Sequence, residues 1–462
     1  MADHRDRTEA LARALTPPLR EALGDAGVEV ADLRRLSGGA SRETWSFTAH
    51  GPSAGERRLV LQRLRPGGVG TGPSMAVEDR LLAAAEAAGV PVPPVVVDAP
   101  AAEGAGLGQA RVSVHVDGEA LGPRIVRAER TEAGRRALGR RLGSALAGIH
   151  AIDPEVVADL DVVDPLGRVR DGLDLLGEQR PALELGLRRL EATRPSPGPV
   201  GVVHGDYRVG NLLVEGDELT AVLDWELAHR GDPAEDLGWL CGRAWRFGGD
   251  REAGGVADLD DVLAGYVEAG GRPTTTEVVR WWTAAGTLLW GLICAVQARR
   301  HLDGHVRSVE LATIGRRVCE AEHDLLDLVL DPPPPAPAGE TPDAPTPPDL
   351  HGRPTAAELV DAVRGHLADD LGPSLEGSAR FHARVATHAL EVVERELRLG
   401  PAQAVAHARR LEGLGVADDA ELATRIRAGE LDDRPDVDAA VRAAVVDRLR
   451  VANPGWLADR DR

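Results

Sequence analysis

Residues 202–240 read VVHGDYRVGNLLVEGDELTAVLDWELAHRGDPAEDLGWL, and this stretch decides the fold. A short apolar strand runs into the turn His204-Gly205-Asp206, Asn211 follows Asp206 by five residues, and a second apolar strand ends in Asp224. Both strands end where a cleft would lie, so Asp206, Asn211 and Asp224 can converge there. Their oxygens suit a hard divalent cation. One carboxylate to orient an acceptor hydroxyl, with an amide oxygen and a second carboxylate to hold Mg²⁺ on phosphates, is the set that phosphoryl transfer from a nucleotide requires. Asn211 carries weight of its own, because the chain has only two asparagines, Asn211 and Asn453.

The segment resembles the aminoglycoside phosphotransferase and choline kinase branch of the protein-kinase-like fold, whose signature is HGDxxxxN followed by a metal-binding Asp. The resemblance spans about residues 25–330. It implies an α+β, bilobal fold with a β-rich N-lobe and a helical C-lobe, and it implies ATP and Mg²⁺ as cofactors. Asp206 would be the catalytic base, His204 a structural residue of the catalytic loop, and Asn211 and Asp224 the metal ligands.

Working outward, SGGASRET (37–44) sits where the family places its nucleotide-covering loop. Ser37, Gly38, Gly39 and Ser41 would let backbone N–H groups approach phosphates. Glu78, in VEDRLLAAAEAAGVPVP, stands where the family carries the helix glutamate that pairs with a strand lysine. That strand is LVLQRLR (59–65), and here the pattern departs. The chain contains no lysine, so all 54 basic residues are arginine, and the lysine position falls on Gln62. A strand alternates faces, so Arg63 should point away if Gln62 points into the cleft. The expectation favours Arg63 as the phosphate-binding cation through a shift of register, with Arg65 or Arg42 as alternatives. Glu226 reads as a second metal contact or as the partner of Arg230 one helical turn on, and Asp236 as a brace for the catalytic loop.

Apolar spacing divides the 462 residues into a β-rich N-lobe (1–120), a helical C-lobe (121–330), a proline-rich linker (331–349) and a small all-α domain (350–462). About half of DPPPPAPAGETPDAPTPPD (331–349) is proline, which favours an extended spacer. In the last domain, Gly400-Pro401 reads as the stop of one helix and the start of the next. The apolar segment 281–298, WWTAAGTLLWGLICAVQA, reads as a buried core helix rather than a membrane span.

The net charge of −20 argues against nucleic acid or an anionic membrane as partner, since either needs a basic face. Three widely spaced cysteines support neither a disulfide framework nor a zinc site, and with no apolar leader at the N-terminus they point to the cytoplasm. The expected partners are a nucleotide and a small-molecule hydroxyl acceptor. The wording of the 59–93 and 224–240 stretches, with the helical C-terminal segment, looks most like the hydroxyacyl-CoA kinases linked to acyl-CoA dehydrogenases. An antibiotic kinase of the aminoglycoside type is one alternative, and a degenerate nucleotide-binding interaction protein is another.

Overall fold

The computed structural model describes residues 2–36, 42–65, 72–330 and 353–457. The loop residues Ser37, Gly38, Gly39 and Ser41, and the proline-rich run, lie outside the described residues.

After the helix α1 (Ala2–Leu23), the strands β1 (Glu29–Arg35), β2 (Arg42–Gly51) and β3 (Gly55–Leu64) form an antiparallel meander. The helix α2 (Met75–Ala87) follows, then β4 (Val95–Val97) and β5 (Ala110–Val114). The sheet order is β1-β2-β3-β5-β4. The register places Glu43 opposite Arg63 and Thr44 opposite Gln62, and Gln62 opposite Arg111 on the other side. Because side chains alternate, one face carries Trp45, Phe47, Leu59, Leu61 and Val112, which pack with Leu11, Leu15 and Leu19 of α1 into one core. The other face is polar and looks towards α2. On that helix Met75, Glu78, Leu82 and Ala85 recur three and four apart and are all buried, so an acid sits in an apolar stripe and must be paired. Ser74 caps the helix by accepting from the Val77 N–H.

The first compact unit comprises residues 1–163 and 196–283. Beyond the sheet, its core gathers apolar side chains of α2, the helix Glu132–His150 and the short strands β6 (Gly201–Val203), β7 (Leu212–Glu215) and β8 (Glu218–Val222), and β9 (His229–Gly231) follows them. β6 pairs with β9 and β7 with β8, both antiparallel. The turns after β6 and after β8 therefore carry Asp206 and Asp224.

The second unit comprises residues 164–195 and 284–462. Its division differs from the expected boundary at the proline-rich run. Leu411, Leu422, Ile426, Val437, Val441 and Val445 from the C-terminal helices share one core with Ala182, Leu185, Leu326 and Leu330. Arg442, 1% exposed, reaches Asp327 at 2.5 Å, and Arg448 reaches Glu322 at 3.0 Å. Nor does the helix break at Gly400-Pro401: Gly377–Leu414 is continuous, with Pro401 inside it. Packing overrides the local signal, because Arg395 donates to the Val451 carbonyl and Gln403 to that of Asp447, gripping one partner segment on both sides of the proline. The apolar helix Thr276–Leu302 is long enough to cross a membrane, but 72% of its apolar window is buried inside the protein.

Candidate active site

The turn after β6 is built around a buried carboxylate that is not itself at the surface. Asp236, fully buried, accepts from the backbone N–H of His204 (2.8 Å) and of Gly205 (2.9 Å), and its Oδ2 lies 3.1 Å from His150 Nε2. Burial would push this carboxyl up, but His150 and the two N–H donors hold it below the usual aspartate value. The brace expected at this position is present. Gly205 has φ +78°, and a Cβ there would stand 2.4 Å from the Leu227 carbonyl oxygen, so only glycine fits the turn.

His204 is buried, its Nδ1 accepts the Asp206 N–H at 3.2 Å, and its Nε2 faces the Leu223 carbonyl at 3.1 Å. The imidazole is therefore neutral with its proton on Nε2, and burial holds its pKa below the usual value. It ties the loop after β6 to the end of the β8 segment.

The Asp206 carboxylate is gripped from three directions. Asn211 Nδ2 donates to Oδ2 at 2.5 Å, and Trp239 Nε1 (2.8 Å) and Arg208 Nε (2.9 Å) both donate to Oδ1. Asp224, at φ +65°, is pushed up to about 7 by burial first and then by the carboxylates of Glu226 and Asp206, against the pull of Arg42. The sequence residues Asp206, Asn211 and Asp224 thus come together. The oxygen donors and the accumulated negative charge fit a hard cation. Among the described residues no group of three or more His, Cys, Asp or Glu side chains is arranged to hold a metal.

On the sheet side, Glu78 is fully buried and meets two arginines. Arg42 binds it bidentately, with Nη1–Oε2 at 2.8 Å, and Arg111 Nη2 lies 2.8 Å from the same Oε2. Arg42 Nε is also 3.2 Å from Glu226 Oε2, so Glu226 pairs with Arg42 and not with Arg230, whose guanidinium donates to the Ala158 carbonyl. Gln62 Oε1 accepts from Arg111 Nε and Nη2 at 3.2 and 3.1 Å. The preference for Arg63 is corrected here. Its Nε donates to Glu43 Oε2 at 2.9 Å on the opposite face, where Arg7 also binds Glu43. No bulge shifts the register of β3, so alternation holds, Gln62 faces the Glu78 cluster and Arg63 faces away.

A family model described as "APH: Phosphotransferase enzyme family" matches residues 32–282, more than half of the chain. The chain belongs to this phosphotransferase family. A second model, "Domain of unknown function (DUF6285)", matches residues 373–456. A solved structure described as a candidate aminoglycoside phosphotransferase from Ralstonia eutropha covers 69% of this chain and 97% of its own, with 23% identity and a TM-score of 0.54, which shows the bilobal kinase-like fold. The mouse acyl-CoA dehydrogenase family member 10 is 41% identical over 63 residues, 13% of this chain and 6% of that protein. A homoserine kinase from Methylocella silvestris is 36% identical over 78 residues, 17% of this chain and 23% of that protein. The chain thus spans less than a quarter of either curated relative.

Sequence reasoning missed three residues of this phosphotransferase's site. Arg111 joins Glu78 only because β5 pairs with β3, a contact between residues 49 apart that no local pattern reports. Trp239 and Arg208 flank Asp206, and the signal was available: Arg208 stands two residues after Asp206, and Trp239 three after Asp236.

Proposed function

We propose that this phosphotransferase moves the terminal phosphoryl group of ATP to a hydroxyl of a small molecule. The observation that carries the reading is Asp206, whose carboxylate is fixed by Asn211, Trp239 and Arg208 beside the raised carboxyl of Asp224. Asp206 orients the acceptor hydroxyl and receives its proton, while the His204–Asp236 scaffold keeps the loop rigid. Asn211 and Asp224 would hold Mg²⁺, which when bound neutralises phosphate charge. With no lysine in the chain, Arg42 takes the strand lysine's part: anchored by Glu78, it lies close to the carboxylates of Asp224 and Glu226, where phosphates would arrive. The loop of Ser37, Gly38, Gly39 and Ser41 would cover them.

The finer reading is a hydroxyacyl-CoA acceptor. It is supported by the local likeness to an acyl-CoA dehydrogenase family member and by the helical segment 373–456 that follows the kinase-like part. We place the enzyme in the cytoplasm, a reading supported by three cysteines that are all buried and unbonded to one another. ATP-dependent phosphorylation of a panel containing short 4-hydroxyacyl-CoA esters, free hydroxy acids and kanamycin tests the whole scheme. Transfer to an acyl-CoA is expected. Transfer to kanamycin alone would assign an antibiotic kinase, and nucleotide binding without transfer to any acceptor would assign a degenerate interaction protein.

A further inference from the structure

Arg208 belongs to the loop that carries Asp206, and its hydrogen bonds within that loop use only Nε and Nη1. Its Nε donates to Asp206 Oδ1 at 2.9 Å, its Nη1 reaches the Val209 carbonyl at 3.4 Å, and its guanidinium carbon lies 4.5 Å above the centroid of the Trp245 ring. Trp245 in turn packs on Trp239, ring centroids 5.3 Å apart, and Trp239 holds the same Oδ1. The loop is shaped to leave room for this side chain: at Gly210, φ +112°, a Cβ would stand 2.6 Å from Arg208 Nη1. The side chain keeps 23% of its surface exposed, so the guanidinium presents an open edge next to the catalytic carboxylate. The aromatic face holds the cation in place, and the Asp206 carboxylate offsets part of its charge from one edge only. A guanidinium in such a position binds carbonyl and carboxylate oxygens in its own plane.

We propose that Arg208 is the specificity-determining residue of the acceptor site, taking the acyl oxygen of a hydroxy acid or hydroxyacyl ester while Asp206 takes its hydroxyl. This rests on the role given to Asp206 above. Because Arg208 Nε is hydrogen-bonded to Asp206 Oδ1, an acceptor that meets the terminal guanidinium nitrogens and the Asp206 carboxylate together must carry its acyl oxygen only a few bonds from the hydroxyl. A cationic acceptor would meet the guanidinium instead of an open carboxylate, so the site disfavours polyamines and aminoglycosides.

The test uses the full chain with Mg·ATP and three acceptors matched in length: 3-hydroxypropionate, 3-hydroxypropanamide and 3-amino-1-propanol. The wild type should prefer them in that order. Arg208→Gln should lower kcat/KM for the carboxylate by about 100-fold, chiefly through KM, from loss of a charge-assisted hydrogen bond. It should lower the amide's value much less, so that the ranking flattens. Arg208→Lys should restore part of the preference for the carboxylate. An equal loss on all three acceptors would reduce Arg208 to a support for Asp206 and overturn the proposal, as would a wild type that prefers the amine. Binding is read separately, as quenching of tryptophan fluorescence by 3-hydroxypropionate with ADP present. Quenching that is stronger for the carboxylate than for the amine, and lost in Arg208→Gln, upholds the proposal even if no transfer occurs, and the absence of transfer then counts against the kinase reading alone. Quenching that ignores the acceptor's charge overturns it.

Discussion

Arg42 and Glu78 form a bidentate, buried ion pair that joins the first residue of β2 to α2. In a chain without lysine, the cation facing the helix glutamate has moved from β3 to the neighbouring strand, and Arg111 of β5 completes the pair from the other side. Arg42→Gln should therefore raise the KM for ATP about tenfold or more, the scale of one lost charged hydrogen bond. Arg63→Ala, which acts only on Glu43, should leave it within about twofold. Steady-state kinetics in ATP checks both, and the reverse order would return the phosphate contact to Arg63.

Asp206→Asn keeps the size of the side chain but cannot receive a proton. Turnover should fall by about 10³-fold, the range of positioned acid–base catalysis, while ATP binding by calorimetry changes little. Near-normal turnover would remove Asp206 from the chemistry.

Asn211→Ala and Asp224→Ala each delete an oxygen that, in the proposed function, would hold the cation. Both should weaken Mg·ATP binding and abolish transfer, with less effect on metal-free nucleotide. Calorimetric titrations with and without magnesium separate the two. Unchanged affinity in both variants would put the ion elsewhere.

The Asp236 carboxyl is held below its ordinary value of 3.8 in the folded state. A lowered folded value contributes stability that is complete above the unfolded value and is lost as the pH falls through the folded one. Asp236→Asn should therefore destabilise the protein at neutral pH, by about 3 kcal/mol for breaking a buried charged network. It should also flatten the acid limb of a stability curve measured below pH 4. An unchanged acid limb would mean that other carboxylates carry it.

Ending the chain at Leu330 would strip the C-terminal helices from the core that contains Ala182, Leu185, Leu326 and Leu330. The shortened protein should lose several degrees of Tm and catalytic efficiency together. Leu326→Ala in the full chain should cost about 3 kcal/mol by leaving a cavity. A truncated enzyme with full stability and activity would show that the shared core is dispensable.

The meeting of His204, Asp206, Asn211 and Asp224 was legible because the pattern is local: the first three lie in one loop after β6, and Asp224 follows the next strand pair. Glu78 was legible through the resemblance, which carries a helix glutamate at its position. The identity of its partners was not, since Arg111 is placed by strand pairing across the sheet and Arg42 by the geometry of a neighbouring strand. Simple alternation nevertheless spoke against Arg63, and the structure follows alternation. In the C-terminal half the period of the helices could be read. Their extent could not, because Pro401 is overridden by Arg395 and Gln403 anchoring the helix on both sides of it. The grouping of these helices with residues 164–195 likewise depends on packing between segments more than two hundred residues apart.

The arginine pair around Glu78 has a practical corollary for discovery chemistry. Nucleotide acyl phosphates and other amine-reactive probes report kinases by acylating the side-chain amine beside the bound phosphates. In the proposed function guanidinium groups take that place, and no side-chain amine exists anywhere in the sequence. Surveys built on lysine capture will pass over this enzyme and over any relative with the same replacement, whereas dicarbonyl reagents that condense with arginine will reach it, with ATP protecting Arg42 from modification.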